Sequence, residues 1–237
     1  MDSIIFADKQ LTLWLNSFHT TFADLFFYFS TSTIVWIPLF VMLAWLILVK
    51  QGGQGIVTIA FVALVVLFCD QISSSIIKPL AERYRPTHDP VLQYMVHIVN
   101  DYRGGLYGFC SAHAANTFGI ATFVALVMRH KGLSLALYLW AIISSYSRIY
   151  VGVHFVGDIV VGALLGVIIA KVAYEFYLHA SLHFFVINHH NKWTLKQGLG
   201  KMFGQKEPMV VALTFWTIVA IVLIVCKMLL TYDGIAC

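Results

Sequence analysis

Charge is what this chain has least of. Only 11% of its 237 residues are Asp, Glu, Lys or Arg, while 60% are hydrophobic. A soluble domain carries about 25% charged and about 45–50% apolar residues. The deficit leaves too little charge to cover a water-facing surface, so lipid must be the solvent for much of it. The net charge of +4 is too small for a nucleic-acid footprint, and no nucleic-acid partner is expected. Cysteine is also sparse: Cys69, Cys110, Cys226 and Cys237 are scattered and make neither a disulfide framework nor a metal signature. Met1-Asp2-Ser3 has no positive leader region, and Asp8 and Lys9 interrupt the first apolar stretch, so no cleavable signal is expected. Repeats and low-complexity segments are lacking too, which predicts one membrane-embedded domain over 1–237.

The long apolar runs place that domain in the bilayer. A span needs roughly 20 mostly apolar residues. Thr33 to Val49, Ile56 to Ile77, the stretch from His113 to Met128, Leu133 to Tyr150, Val156 to Tyr177 and Met209 to Leu230 are the candidates. Lipid-exposed backbone must satisfy its hydrogen bonds internally, so the expected fold is all-α, a six-transmembrane-helix bundle. Residues 1–30 read differently. Asp8, Lys9, Asn16, His19 and Asp24 recur among Leu11, Leu15, Phe18 and Phe22 at helical spacing, which predicts an interfacial amphipathic helix over Asp2 to Phe29. Cytoplasmic loops carry the excess of Lys and Arg. Lys50, Arg129, Lys131, Lys192, Lys196, Lys201 and Lys206 then mark the inner side. The polar segment from Lys78 to Phe109, the turn near Arg148 and both termini fall outside.

Ionisable residues at span ends suggest function by default, and here they form three clusters on that outer side. Lys78 begins Lys78-Pro79-Leu80-Ala81-Glu82-Arg83-Tyr84-Arg85-Pro86; Gly108-Phe109-Cys110-Ser111-Ala112-His113 opens the third span; Ser147-Arg148 and His154-Phe155-Val156-Gly157-Asp158 lie between the fourth and fifth. Lys78, Arg85 and Arg148 supply cations suited to phosphate oxygens. Ser111 precedes a helix whose free N–H groups favour an anion. Four-residue spacing puts His154 and Asp158 on one helix face, where the acid can hold one ring nitrogen and leave the other to attack. His113 is placed to protonate a leaving oxygen. Together these types can perform phosphoryl transfer without a metal or cofactor, because that chemistry needs mainly positioning and charge neutralisation.

In order and spacing the three segments resemble the signature motifs of the type 2 phosphatidic acid phosphatase family, whose superfamily includes vanadium haloperoxidases. Lys78, Arg85 and Pro86 match the first motif, and Ser147, Arg148, His154 and Asp158 match the third in full. Cys110-Ser111-Ala112-His113 matches Pro-Ser-Gly-His in part. The resemblance spans 78–158. It implies His154 as the nucleophile of a phospho-histidine intermediate, Asp158 as its partner and His113 as the general acid. Lys78, Arg85, Ser111, Ala112 and Arg148 would hold the phosphate. Ala112 replaces the family's Gly, so the turn there is either in an ordinary conformation or farther from the phosphate.

The bland readings of neighbouring residues are also expectations. Arg83 reads as a snorkelling anchor, Arg103 and Tyr107 as parts of a solvated loop. Asp70 reads as a core acid bonded near Ser73 or Ser74, and Cys110 as a packing substitution. His189-His190 lacks a third metal ligand. A small membrane transporter is the rival class, but its ionisable groups would spread through the depth of the spans. A haloperoxidase would share the anion pocket without such lipid immersion. The expected substrate is a membrane lipid phosphate, undecaprenyl diphosphate or a lipid A phosphate, with phosphatidylglycerol phosphate or phosphatidic acid as alternatives. A bacterial inner membrane, with the site on its periplasmic face, is the expected location. The oligomeric state is not legible.

Overall fold

The structure is a computed structural model that describes residues 2–184 and 206–232. Among them the chain is helical, with no strand and one isolated bridge between Tyr84 and Tyr107. α1 runs over Asp2–Asn16, α2 over Thr21–Thr31 and α3 over Thr33–Gln51. Gly52, at φ 54°, takes the left-handed turn that folds α3 back onto α4, Gly53–Asp70. α4 continues through a π-helical stretch, Gln71–Ile77, into α5, Lys78–Ala81, so that Gly53–Ala81 form one 29-residue rod. After a long loop come α6, Ala112–Met128, α7, Lys131–Tyr150, α8, Val156–Phe184, and α9, Glu207–Tyr232.

Four helical stretches are long and apolar enough to cross a membrane: Thr33–Gln51, Gly53–Ala81, Val156–Ser181 and Glu207–Tyr232. Their outward faces expose Ile37, Val41, Trp45, Leu67, Leu164, Ile168, Val172, Trp216 and Ile224, a surface suited to hydrocarbon and not to water. The expected spans within 33–177 and 209–230 coincide with helices to within a few residues, except that the second span's helix starts earlier and runs on to Ala81 and the fifth continues to Phe184. α6 has 17 residues, and α7 carries several polar side chains. Both are shielded by neighbours: α6 buries Ala114, Ala115, Thr117, Gly119, Ala121, Phe123, Val124 and Val127 around most of its circumference. α8 runs through His179, where the linker was expected to start, as far as Phe184; residues 185–205 of that linker, with His189-His190, lie outside the described residues.

α6 and α8 form the central pair. A Cβ on Gly162 would run into the Ser111 carbonyl, and one on Gly166 into the Ala115 carbonyl. Small residues four apart thus let the two backbones close up, as lipid-immersed helices must when no hydrophobic drive separates them from their solvent. Around them an aromatic core packs: Trp36 stacks on Phe215 at 5.9 Å, Trp140 meets Phe40 edge-on at 5.3 Å, and Phe123 meets Tyr177 at 5.7 Å.

The N-terminal stretch differs from the single helix expected over Asp2 to Phe29. It breaks after Asn16, and Thr20 restarts it as an N-cap by accepting from Ala23 N–H at 3.1 Å. Asp8, Thr12 and Asn16, four apart on α1, point inward, while Ile4, Phe6, Leu11, Trp14 and Phe18 face out. Its polar stripe is therefore the packed side and its apolar stripe the free one.

Candidate active site

Each site side chain is held by an element that ends or begins beside it. α8 starts at Val156, so Asp158 occupies its first turn. Its Oδ2 accepts from the N–H of Phe155, just before the helix, at 3.0 Å, half of a capping box, and its negative charge suits the positive helix end. The same Oδ2 faces His154 Nδ1 at 3.3 Å. The expectation that these two share a helix face is corrected here: His154 precedes α8, and the pair closes across the capping turn. His154 Nε2 lies 3.3 Å from Arg85 Nη1. A guanidinium only donates, so Nε2 is the lone-pair nitrogen and Nδ1 carries the proton toward Asp158. His154 is buried, and burial pushes its pKa down to about 4; the Arg85 and Arg148 cations add to this, and the Asp158 bond opposes it. The ring is neutral at pH 7.

Arg85 is fixed by two carbonyls, Nε donating to Tyr107 at 3.2 Å and Nη1 to Val153 at 3.2 Å. It fits because two glycines clear space: a Cβ on Gly104, itself at φ +68°, would sit 2.9 Å from Nη1, and one on Gly108 3.1 Å from Cγ and 3.0 Å from Asp158 Oδ2. Arg148 ends α7. Its Nη2 donates to His113 Nδ1 at 3.0 Å, which leaves His113 Nε2–H to donate to Ser144 Oγ at 2.7 Å. Arg148 Nη1 reaches the Tyr102 hydroxyl at 3.4 Å, and its Nε is buried with no partner among the described residues. Ser111 caps α6 by accepting from Ala114 N–H at 3.3 Å, and its own N–H donates to the Asp158 carbonyl at 3.0 Å. Two helix N-termini, of α6 and α8, therefore converge on one point. Ala112 opens α6 in ordinary helical backbone, which decides the conformational question its Cβ raised.

Lys78 Nζ donates to Ser74 Oγ at 3.2 Å and makes no bond to the other site residues among those described. Cys110 is wholly buried, and burial raises its thiol pKa, in keeping with a packing role. Ser73 bonds the carbonyls of Cys69 and Asp70, not the Asp70 carboxylate. No group of three His, Cys, Asp or Glu is placed to hold a metal ion among the described residues.

Residues 56–182 match the family model of the PAP2 superfamily. The chain belongs to that superfamily. It is a membrane-embedded phosphatase, which sets aside the transporter reading. It is 38% identical over 67% of its length to a lipid A 4'-phosphatase of Bacteroides thetaiotaomicron, covering 72% of that protein. A lipid A 4'-phosphatase of Porphyromonas gingivalis is 36% identical over 76% of this chain and 77% of its own. The crystal structure of Aquifex aeolicus LpxE superposes with a TM-score of 0.53 at 25% identity, covering 70% of this chain and 93% of that one.

The sequence reading missed Arg83. Instead of snorkelling, it bridges two acids: Nη1 to Asp158 Oδ1 at 3.0 Å and Nη2 to Asp8 Oδ2 at 2.6 Å, with its guanidinium 4.1 Å over the Phe155 ring. A signal was present. Arg83-Tyr84-Arg85 lies in extended chain, its backbone tied to Leu106 and Gly108, so alternate residues point to one side. Asp8 and Thr12 were missed as well. They accept from the first N–H groups of α8, Gly157 to Asp8 Oδ1 at 2.8 Å and Val156 to Thr12 Oγ1 at 3.1 Å. Asn16 completes the stripe by bonding the Tyr150 carbonyl at 2.8 Å and the His97 N–H at 2.7 Å. Arg103 pairs with Asp101 in the exposed loop, as expected of a solvated segment.

Proposed function

We propose that this phosphatase removes a phosphate from lipid A through a phospho-histidine intermediate at His154. The observation that carries it is the His154 ring: neutral, its Nδ1–H turned to Asp158 and its Nε2 lone pair toward the Arg85 guanidinium that would hold the phosphate. In the first step the phosphate binds as its monoanion and draws Arg148 off His113 Nδ1, so that His113 takes up the phosphate's proton. His154 Nε2 attacks phosphorus, the P–O bond to the lipid breaks, and the His113 imidazolium gives a proton to the leaving oxygen. In the second, water attacks the phosphoryl group with His113 as base, the N–P bond breaks, and inorganic phosphate leaves. Lys78, Arg85, Arg148 and the α6 N-terminus at Ser111 and Ala112 neutralise the equatorial oxygens, as a metal would elsewhere. The identity to two lipid A 4'-phosphatases supports this lipid over undecaprenyl diphosphate, phosphatidylglycerol phosphate or phosphatidic acid.

The whole chain acts as one domain of six spans, α3, the Gly53–Ala81 rod and α6 to α9, with α1 lying in the interface on its apolar side. The site faces the periplasm from the inner membrane, where a head group presents its phosphate while the acyl chains stay in lipid. Phosphate release from a panel of these four lipids, with EDTA present, tests the chemistry: lipid A turnover should persist, and disappear in His154→Ala. Undiminished activity in that variant, or an absolute metal requirement, overturns it. Phosphate trapped on the enzyme should be acid-labile and base-stable. A membrane-impermeant thiol reagent should label Cys237 from the periplasm, Cys69, Cys110 and Cys226 being buried; failure to label reverses the orientation.

A further inference from the structure

The two histidines of the site are held by different chemistry. Behind His154 stands a carboxylate, whereas the ring of His113 lies between Ser144 and Arg148 of α7. Four residues apart, these two share a face of the helix and sit about 6 Å apart along its axis, so the imidazole is gripped at both nitrogens. Arg148 Nη2 is 3.0 Å from Nδ1, and Ser144 Oγ is 2.7 Å from Nε2. A guanidinium cannot accept, so Nδ1 carries the lone pair, Nε2 the proton, and the serine oxygen is the acceptor. Ser144 is 1% exposed, which keeps bulk water from taking its place. Ser147 donates its hydroxyl to the Ser144 carbonyl at 2.7 Å, and no other side chain bonds His113 Nε2 among the described residues.

Each partner suits the work of its ring in the reading above, on which this inference rests. A phosphoryl group on Nε2 leaves His154 positively charged, and the Asp158 carboxylate offsets that charge. His113 must instead take up a proton and release it within each step. A carboxylate behind it would stabilise the imidazolium and oppose the release. A neutral hydroxyl accepts the Nε2–H whether or not Nδ1 is protonated, so it fixes the ring without holding the proton back. It also confines proton transfer to one atom. Arg148 covers Nδ1 in the structure; with the guanidinium drawn onto the phosphate, Nδ1 is the nitrogen that meets the leaving oxygen. A flipped ring would set carbon against both partners and lose both bonds.

We infer that Ser144 is the positioning residue of the acid–base histidine, holding its Nε2–H so that Nδ1 protonates the leaving oxygen and later takes the proton of the attacking water. The test uses full-length enzyme in detergent micelles, with lipid A and p-nitrophenyl phosphate as substrates. Nitrophenolate leaves without a proton, so only the lipid needs the acid. Ser144→Ala should lower kcat/KM for lipid A about ten- to hundredfold, the worth of one hydrogen bond to a charged ring. For p-nitrophenyl phosphate the fall should stay under about threefold. Phosphoenzyme hydrolysis, which needs His113 as base, should slow in the variant and leave a larger nitrophenolate burst than in wild type. Should Ser144→Ala not fold, Ser144→Cys, near in shape with a weaker acceptor, should show the same contrast. Equal falls for the two substrates, or none on lipid A, overturn the inference. Undiminished turnover of lipid A by His113→Gln refutes the acid itself, and the inference with it. A wild type that spares lipid A but hydrolyses phosphatidic acid refutes the lipid A reading alone, and phosphatidic acid then takes its place in the same comparison.

Discussion

Replacing Arg83 with Met keeps an unbranched stem beside Phe155 and removes the guanidinium that joins α1 to the His154–Asp158 pair. Asp158 is fully buried, and its Oδ1 would lose its ion partner. Breaking a buried pair from one side costs about 3–5 kcal/mol. The Asp8 half of the bridge, part-exposed, is worth only about 1 kcal/mol. Arg83→Met should therefore destabilise the protein by about 3–5 kcal/mol, and Asp8→Asn by about 1 kcal/mol. The double variant should cost less than the sum, because removing the Asp8 charge relieves two carboxylates left facing each other without a cation. A coupling of about 1–2 kcal/mol is the signature. Catalysis should follow orientation: a loss of about 1.4–2.8 kcal/mol in holding His154 converts to roughly a ten- to hundredfold fall in kcat/KM. Arg83→Lys, with charge but no fork, should lie between. Thermal unfolding in micelles and phosphate release measure the two effects. Arg83→Met within twofold of wild type in kcat/KM, or strictly additive single variants, would refute the reasoning.

Three further outcomes can be checked on the same preparation. Because burial holds His154 at about 4, the unfolded chain takes up a proton near pH 6.5 that the native state refuses until about pH 4. Stability from the neutral ring is thus complete above pH 6.5 and lost as pH falls toward 4, by up to about 3 kcal/mol; Tm should drop more between pH 7 and pH 5 in wild type than in His154→Gln, and equal drops contradict this. Gly166→Ala, whose Cβ meets the Ala115 carbonyl, should destabilise by about 2–3 kcal/mol, whereas Gly105→Ala, with nothing within 4 Å, should be neutral to unfolding. Asn16→Leu leaves the buried Tyr150 carbonyl and the part-buried His97 N–H without the Asn16 side chain and should cost about 3 kcal/mol, read as lost Tm; an unchanged Tm would mean that α1 is not anchored by its polar stripe.

Much of the fold was legible because lipid imposes a simple rule. Apolar runs of span length had to be helices, and helices run through Thr33 to Val49, Ile56 to Ile77 and Met209 to Leu230. The N-terminal stretch was read as one interfacial helix, whereas it breaks after Asn16 and packs its polar stripe, since a periodic pattern shows that two faces differ but not which is packed. The candidate site was legible where a short spacing sufficed. His154 with Asp158 needs only one turn of chain, and Arg148 follows Ser147 at the end of its helix. Arg83 was not, because its partners sit 75 residues away on either side, at Asp8 and Asp158.

By itself, then, the sequence determined the solvent, the helical class and the types of group available for phosphoryl transfer, because composition and local period act over a few residues. Tertiary structure alone decided that Asp158 is shared between a helix cap, a histidine and Arg83, and that α1 seals the start of α8. Each of those depends on chain segments far apart in sequence closing on one another. The glycines of α8 make the closest of those approaches possible, bringing α6 and α8 together so that both N-termini open on the same site.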